Sequence, residues 1–156
     1  MEEDKNIITT VNNKIYFRPS SALSNFYPSD ITIDEKLYYH VQGYYHSCKH
    51  KGSDDEFAEY IRKFKDPSVC KIVGKSIGII KIKQEEWESG YKIEVMKVAL
   101  LAKFSQHENL AKILLDTGSA ELIEYAPWNE YWGSGRDLEG NNMLGKLLME
   151  IRDTLK

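Results

Sequence analysis

The sequence predicts a mainly helical fold with a small β-sheet, an α+β arrangement in one domain spanning residues 1–156. Two observations carry that expectation. Apolar residues recur at helical spacing in two long segments, 91–104 and 143–155, whereas β-like runs are short and confined to the first third and to 121–125. The chain also holds no Pro/Gly/Ser-rich or single-sign block that would mark a linker or a second domain.

Taken in order, the start MEEDKN and the residues up to 13 are expected to fray. Ile15-Tyr16-Phe17 reads as a strand. Ile31-Thr32-Ile33, the turn Asp34-Glu35-Lys36 and Leu37-Tyr38-Tyr39 read as a hairpin. A helix is expected over Val41–His50, interrupted by Gly43, which costs about 1 kcal/mol there and implies a close approach by another group. Ser53 and Glu56 fit a capping box, followed by the core stripe Phe57, Tyr60, Ile61 and Phe64. Asp66-Pro67 starts a short helix reaching Lys75, and the segment after Gly78 is less regular. Ile93, Met96, Leu100 and Phe104 share one face of the next helix. Leu110–Asp116 is another, closed by Gly118. After a short strand at Glu121–Tyr125 and a long loop, Leu144, Leu147, Leu148, Ile151 and Leu155 form the inner face of the last helix.

Composition narrows the function. A net charge of −3 argues against general affinity for a nucleic-acid backbone, while leaving room for a small anion in a local basic pocket. The apolar runs fall far short of the ~20 residues needed to span a bilayer, and the acidic start does not suit a secretory signal, so a cytoplasmic protein is expected. Cys48 and Cys70 lack metal-knuckle spacing and read as buried reduced thiols.

Several motifs fall short. Gly74-Lys75-Ser76 resembles the end of a phosphate loop, but Val69 stands where that loop needs its first glycine. Gly133, Gly135 and Gly140 do not have dinucleotide-fingerprint spacing. His46 and His50, four apart with His40 nearby, could clip a metal only with a third ligand and supporting partners, so no metal and no cofactor are expected.

The loop PWNEYWGSGRDLEGN stands out. Trp128, Trp132, Gly133 and Gly135 suit a binding wall, because glycine lets backbone N–H groups approach phosphate or sugar oxygens and aromatic faces stack on a base or ribose. With LSNFYPS at 23–29, YYHVQGYYHSCK at 38–49, Trp87, VMKVALLAKF at 95–104, LLDTG at 114–118, LIEYAPWNEYWGSG at 122–135 and GNNMLGKLLMEIR at 140–152, the chain resembles the NADAR (YbiA-like) family over nearly its whole length. The resemblance implies a compact, mainly helical fold with a pocket for N-ribosyl nucleotides. It also implies N-glycosidase chemistry on ribosylamino-pyrimidine phosphates or on ADP-ribosylated guanine.

Two departures qualify it. Where the family blocks carry an acidic residue and an Asp, this chain has Gln42 and Asn129. Glycosidic cleavage passes through an oxocarbenium-like state that carboxylates stabilise, and near-isosteric amides keep the shape while losing the charge. The catalytic positions implied are thus Gln42 and Asn129 with Trp87. The ligand positions implied are Asn25, Phe26, Tyr45, Lys49, Trp132, Gly133, Gly135, Arg136 and Asn142, with Lys49 and Arg136 as phosphate partners. Glu124 and Glu130 are candidates to stand in for a lost acid. The expectation is a binder of an ADP-ribose-type or other N-ribosyl nucleotide that does not hydrolyse it. The alternative is an active N-glycosidase, with an ADP-ribosylated base as a further partner.

Overall fold

The computed structural model describes residues 6–75 and 84–156. The chain divides into two compact units, one formed by Met1–Tyr27 with His107–Lys156 and the other by Pro28–Gln106. The architecture is mainly helical with small sheets, as expected.

In the first unit, β1 (Ile7–Val11) and β2 (Lys14–Phe17) form an antiparallel hairpin, and β5 (Glu121–Glu124) joins β2 in parallel. Asn12 and Asn13 both have positive φ, 52° and 60°, which suits the tight two-residue turn whose twist matches the flanking strands. Ile7–Val11, expected within a frayed terminus, is therefore a paired strand; residues 1–5 lie outside the described residues. Two helices complete the unit, α6 (Glu108–Asp116) and α7 (Met143–Leu155). Gly118, with φ of 64°, takes the left-handed position after α6 that glycine occupies without a Cβ penalty. Leu144, Leu147, Leu148 and Ile151 bury the expected face of α7, which packs on β5 and α6. Each such side chain contributes on the order of 1.5–3 kcal/mol by leaving water.

The second unit begins with β3 (Ile31–Ile33) and β4 (Lys36–Tyr38), the expected hairpin, turned by Asp34 and Glu35 at positive φ. The helices α1 (Val41–His50), α2 (Asp55–Arg62), α3 (Pro67–Gly74) and α4 (Gln84–Glu86) follow; a π-helical turn at Trp87–Tyr91 then leads into α5 (Lys92–Gln106). Residues 76–83, which hold Ser76 and Gly78, lie outside the described residues.

Helix α1 packs against α2, α3 and α5, and all its residues except Lys49 are buried. Its aromatic composition follows from that central place: Tyr44 meets Tyr38 edge-on at 5.0 Å, and His50 meets Phe57 at 4.6 Å. Gln106 brackets Thr32 with two hydrogen bonds of 2.9 and 2.8 Å, fixing the end of α5 to β3.

Two local expectations change. The N-cap of α2 is Asp54, whose carboxylate accepts from the Phe57 amide at 3.1 Å, and not Ser53. An aspartate offers the stronger acceptor, and its charge complements the helix N-terminus. Tyr60 is 53% exposed and outside the core; Ala58 and Ile61 are the buried residues of α2, and Tyr60 stacks on Phe57 at its rim.

Candidate functional site

The predicted site residues fall into both units. In the Pro28–Gln106 unit they lie on α1 and at the π-helical turn. Helix α1 starts at His40, an unusual cap, whose Nδ1 accepts the Gly43 amide at 2.8 Å. A Cβ on Gly43 would stand 3.1 Å from that ring, so the expected close approach at Gly43 is by the cap itself. Further along the helix, Tyr45 lies against Trp87 with ring centroids 5.0 Å apart, and Trp87 lies 5.9 Å from Tyr91. These rings make a mostly buried aromatic corner, and Trp87 opens a π turn, a distortion that recurs at functional sites.

Gln42 is only 4% exposed, and its amide nitrogen lies 2.8 Å from Nε2 of His46, one turn along α1. Position 42 is thus an internal hydrogen-bonding position before it is a surface one. Burial pushes the His46 imidazole down to about 3, and Lys49, His50, Lys75 and Lys71 push in the same direction. It is neutral at physiological pH. Lys49 is half-buried. Burial holds its ammonium below the usual lysine range, Glu88 offsets part of the effect, and Lys75 and Lys92 add like charge. Such a cationic cluster favours an anion.

The histidines considered for a metal clip have other work. His40 caps α1, His46 meets Gln42, and His50 Nε2 lies 2.9 Å from the Gly74 carbonyl. Among the described residues no cluster of three or more His, Cys, Asp or Glu is arranged to hold a metal. Both cysteines are buried, and burial pushes the Cys70 thiol up to about 11.

In the other unit, the site residues gather around Glu124 at the end of β5. Glu124 is 5% exposed, and Ser24 Oγ reaches its carboxylate at 3.5 Å. The same Ser24 oxygen accepts the Phe26 amide at 3.2 Å, which turns the segment carrying Asn25 and Phe26. The backbone of Glu124 takes two further segments: its N–H donates to Asn142 Oδ1 at 3.2 Å, and its carbonyl accepts the Ser134 amide at 2.9 Å. Gly133 is buried against Ala126, where a Cβ would come within 2.7 Å.

Asn142, at φ of 50°, accepts the Glu124 N–H at its side-chain oxygen and donates its side-chain N–H to the Leu122 carbonyl at 2.8 Å, so its side chain ties the start of α7 to β5. Asn129 does similar work within the loop, where Oδ1 accepts the amides of Tyr131 and Trp132 at 3.1 and 3.0 Å. A carboxylate at 129 could accept the same pair. Trp132 is half-buried beside Tyr131, Gly135 has positive φ, and Arg136 is exposed. Trp128, expected in the wall, is 66% exposed.

Sequence reasoning underrates two residues. It weighs His46 as a possible metal ligand against a default of a solvated or core-edge histidine, although a partnership with Gln42 is legible in the i, i+4 spacing. It weighs Glu124 only as a substitute acid; a charged residue closing the apolar run Leu122-Ile123 is the available signal.

The family model described as the NADAR domain matches residues 12–156. An N-glycosidase YbiA of Escherichia coli is 38% identical over 132 residues, covering 85% of this chain and 79% of that one. An N-glycosidase of Nostoc punctiforme is 31% identical over 147 residues, covering 91% and 92%. The NMR structure of the E. coli protein YbiA superposes with a TM-score of 0.79 at 32% identity, covering 99% of this chain and 93% of that one.

Proposed function

Since the chain belongs to the NADAR family, we propose that it binds an N-ribosyl nucleotide of the ADP-ribose type and holds that ligand without breaking its glycosidic bond. The observation that carries this reading is the state of the two positions where the family places acids. Gln42 and Asn129 are neutral amides already engaged in hydrogen bonds, Gln42 with a neutral imidazole and Asn129 with two backbone amides. An amide can orient a ribose hydroxyl, but it cannot take a proton from water or neutralise an oxocarbenium ion as a carboxylate does.

Tyr91, exposed beside the buried Tyr45–Trp87 pair, offers aromatic surface for a base or ribose, and Lys49 with its cationic neighbours offers a place for phosphate. A cytoplasmic setting fits two buried, unpaired cysteines. Calorimetry with ADP-ribose, NAD and nucleoside monophosphates tests the binding, and heat from none of them refutes it.

A second reading, an active N-glycosidase on ADP-ribosylated guanine or ribosylamino-pyrimidine phosphates, is favoured by the names of the relatives and by the buried carboxylate of Glu124. It predicts release of free base, and a Glu124→Gln variant that abolishes the release.

A further inference from the structure

Lys92 and Glu88 form an ion pair of 2.7 Å across the π-helical turn, and its two ends are unequally placed. The Lys92 side chain is 14% exposed and the Glu88 side chain 57%. The cation is seated in the protein, while the carboxylate reaches it from solvent. A carboxylate so exposed is held weakly, because water competes for it.

Helix α1 brings two further groups to the same place. Tyr45 and Lys49 stand one turn apart on α1 and meet the turn that carries Trp87 and Glu88: the Tyr45 and Trp87 rings are 5.0 Å apart, and Glu88 is the opposite charge acting on Lys49. Lys49 is half-buried, and Lys75 and Lys92 act on it with charge of its own sign. One exposed carboxylate therefore serves two lysines, hydrogen-bonded to Lys92 and felt by Lys49. A phosphate group suits both lysines better, since it brings more negative charge and three strong acceptor oxygens. The carboxylate it replaces returns to water, which its exposure makes undemanding.

Resting on the nucleotide-binding function, we propose that Glu88 is the resident counter-anion of the phosphate place beside the Tyr45–Trp87 pair, and that a ligand's phosphate takes over Lys92 and Lys49 by displacing this carboxylate into solvent. Glu88 is thereby a specificity-determining residue. It neutralises the lysines until a stronger anion arrives, so the place accepts a phosphorylated ribosyl ligand and gives an uncharged one no means of releasing the pair. The aromatic side of the same place continues outward through Tyr91, 5.9 Å from Trp87.

The probe is inorganic diphosphate, titrated calorimetrically into the full chain at low ionic strength. The parent should bind it, and Glu88→Gln should bind it about fivefold more tightly, because no carboxylate has to leave. That gain should vanish in a Lys92→Gln background, where no ion pair has to break. Glu108→Gln, which removes the same charge from α6, should leave the affinity unchanged. In the parent chain the side-chain carboxyl 13C signal of Glu88 should move as diphosphate binds, a readout that needs no variant. Absence of diphosphate binding, equal or weaker binding by Glu88→Gln, the same gain in the Lys92→Gln background or from Glu108→Gln, or an unmoved Glu88 signal overturns the proposal. ADP-ribose separates this from the function it rests on. A chain that binds diphosphate in this way and does not bind ADP-ribose retains the displaced counter-anion and refutes the nucleotide-binding function.

Discussion

Restoring both acids, Gln42→Glu with Asn129→Asp, should convert holding into hydrolysis, and the structure sets how this happens. Asn129→Asp is undemanding, because the two backbone amides that Oδ1 accepts would bind a carboxylate at least as well. Gln42→Glu places a charge beside His46 Nε2, which lies 2.8 Å from the present amide nitrogen. Two unit charges about 4 Å apart attract by about 4 kcal/mol at an effective dielectric constant of 20, which raises the proton affinity of the imidazole about 10³-fold. His46, now held down to about 3, should then titrate about 3 pH units higher. Below that midpoint the introduced carboxylate is paired with an imidazolium and its charge is cancelled. Above it the carboxylate is available to the developing cation. Single-turnover cleavage of an ADP-ribosylated guanine nucleoside should therefore rise about 100-fold or more in the double variant, and should rise with pH through the His46 midpoint. His46→Gln in the same background should flatten that pH dependence. A double variant that folds, binds the nucleoside and leaves it intact from about pH 6 to about pH 9 would refute the reasoning.

Three further outcomes follow from the same geometry. Asn129→Ala leaves the Tyr131 and Trp132 amides without their acceptor and should cost about 1–3 kcal/mol, read as a lower urea midpoint, whereas Asn129→Asp should retain stability. Gly74→Ala drives a methyl group into His46, and the crowding of about 1–3 kcal/mol should exceed the gain of about 1 kcal/mol in helix propensity; an unchanged melting temperature would show that the ring can move. Acid should destabilise the fold, because burial holds His40, His46 and His50 below the ordinary histidine range. Unfolded imidazoles take up protons below about pH 6.5 more readily than the folded ones, so this contribution to stability is complete above that pH and falls below it. The slope should reach about 1.4 kcal/mol per pH unit for His46, continuing toward its folded value of about 3. Urea titrations at about pH 7 and about pH 5 check this, and equal midpoints would contradict it.

The elements most accurately legible in the sequence are those whose pattern is set by burial. The bounds of α7 and of α1 match because Leu144, Leu147, Leu148 and Ile151 mark one face and the aromatic run at 41–50 fills a central helix. Strand β1 escapes notice because its residues are mostly exposed and only pairing with β2 orders them, although Asn12-Asn13 carries a turn signal. The site is legible as a set of positions and less so as a set of roles. Asn142 and Asn129 are expected to face a ligand, yet their side-chain oxygens organise backbone far away in sequence or along the loop. The surroundings of Gln42 include His46, whose charge is opposed by burial and by Lys71 and Lys75 from another helix, which no linear pattern reveals.

Binding without cleavage can be tested in a single experiment. The parent chain is titrated calorimetrically with an ADP-ribosylated guanine nucleoside at neutral pH, incubated in excess over ligand, and the ligand recovered by denaturation and resolved by chromatography. The account predicts saturable heat and an intact nucleoside. Stoichiometric release of ADP-ribose and the unmodified guanine nucleoside from the bound ligand would contradict it, and would assign the chemistry to a group other than the two amides, with Glu124 the first to replace.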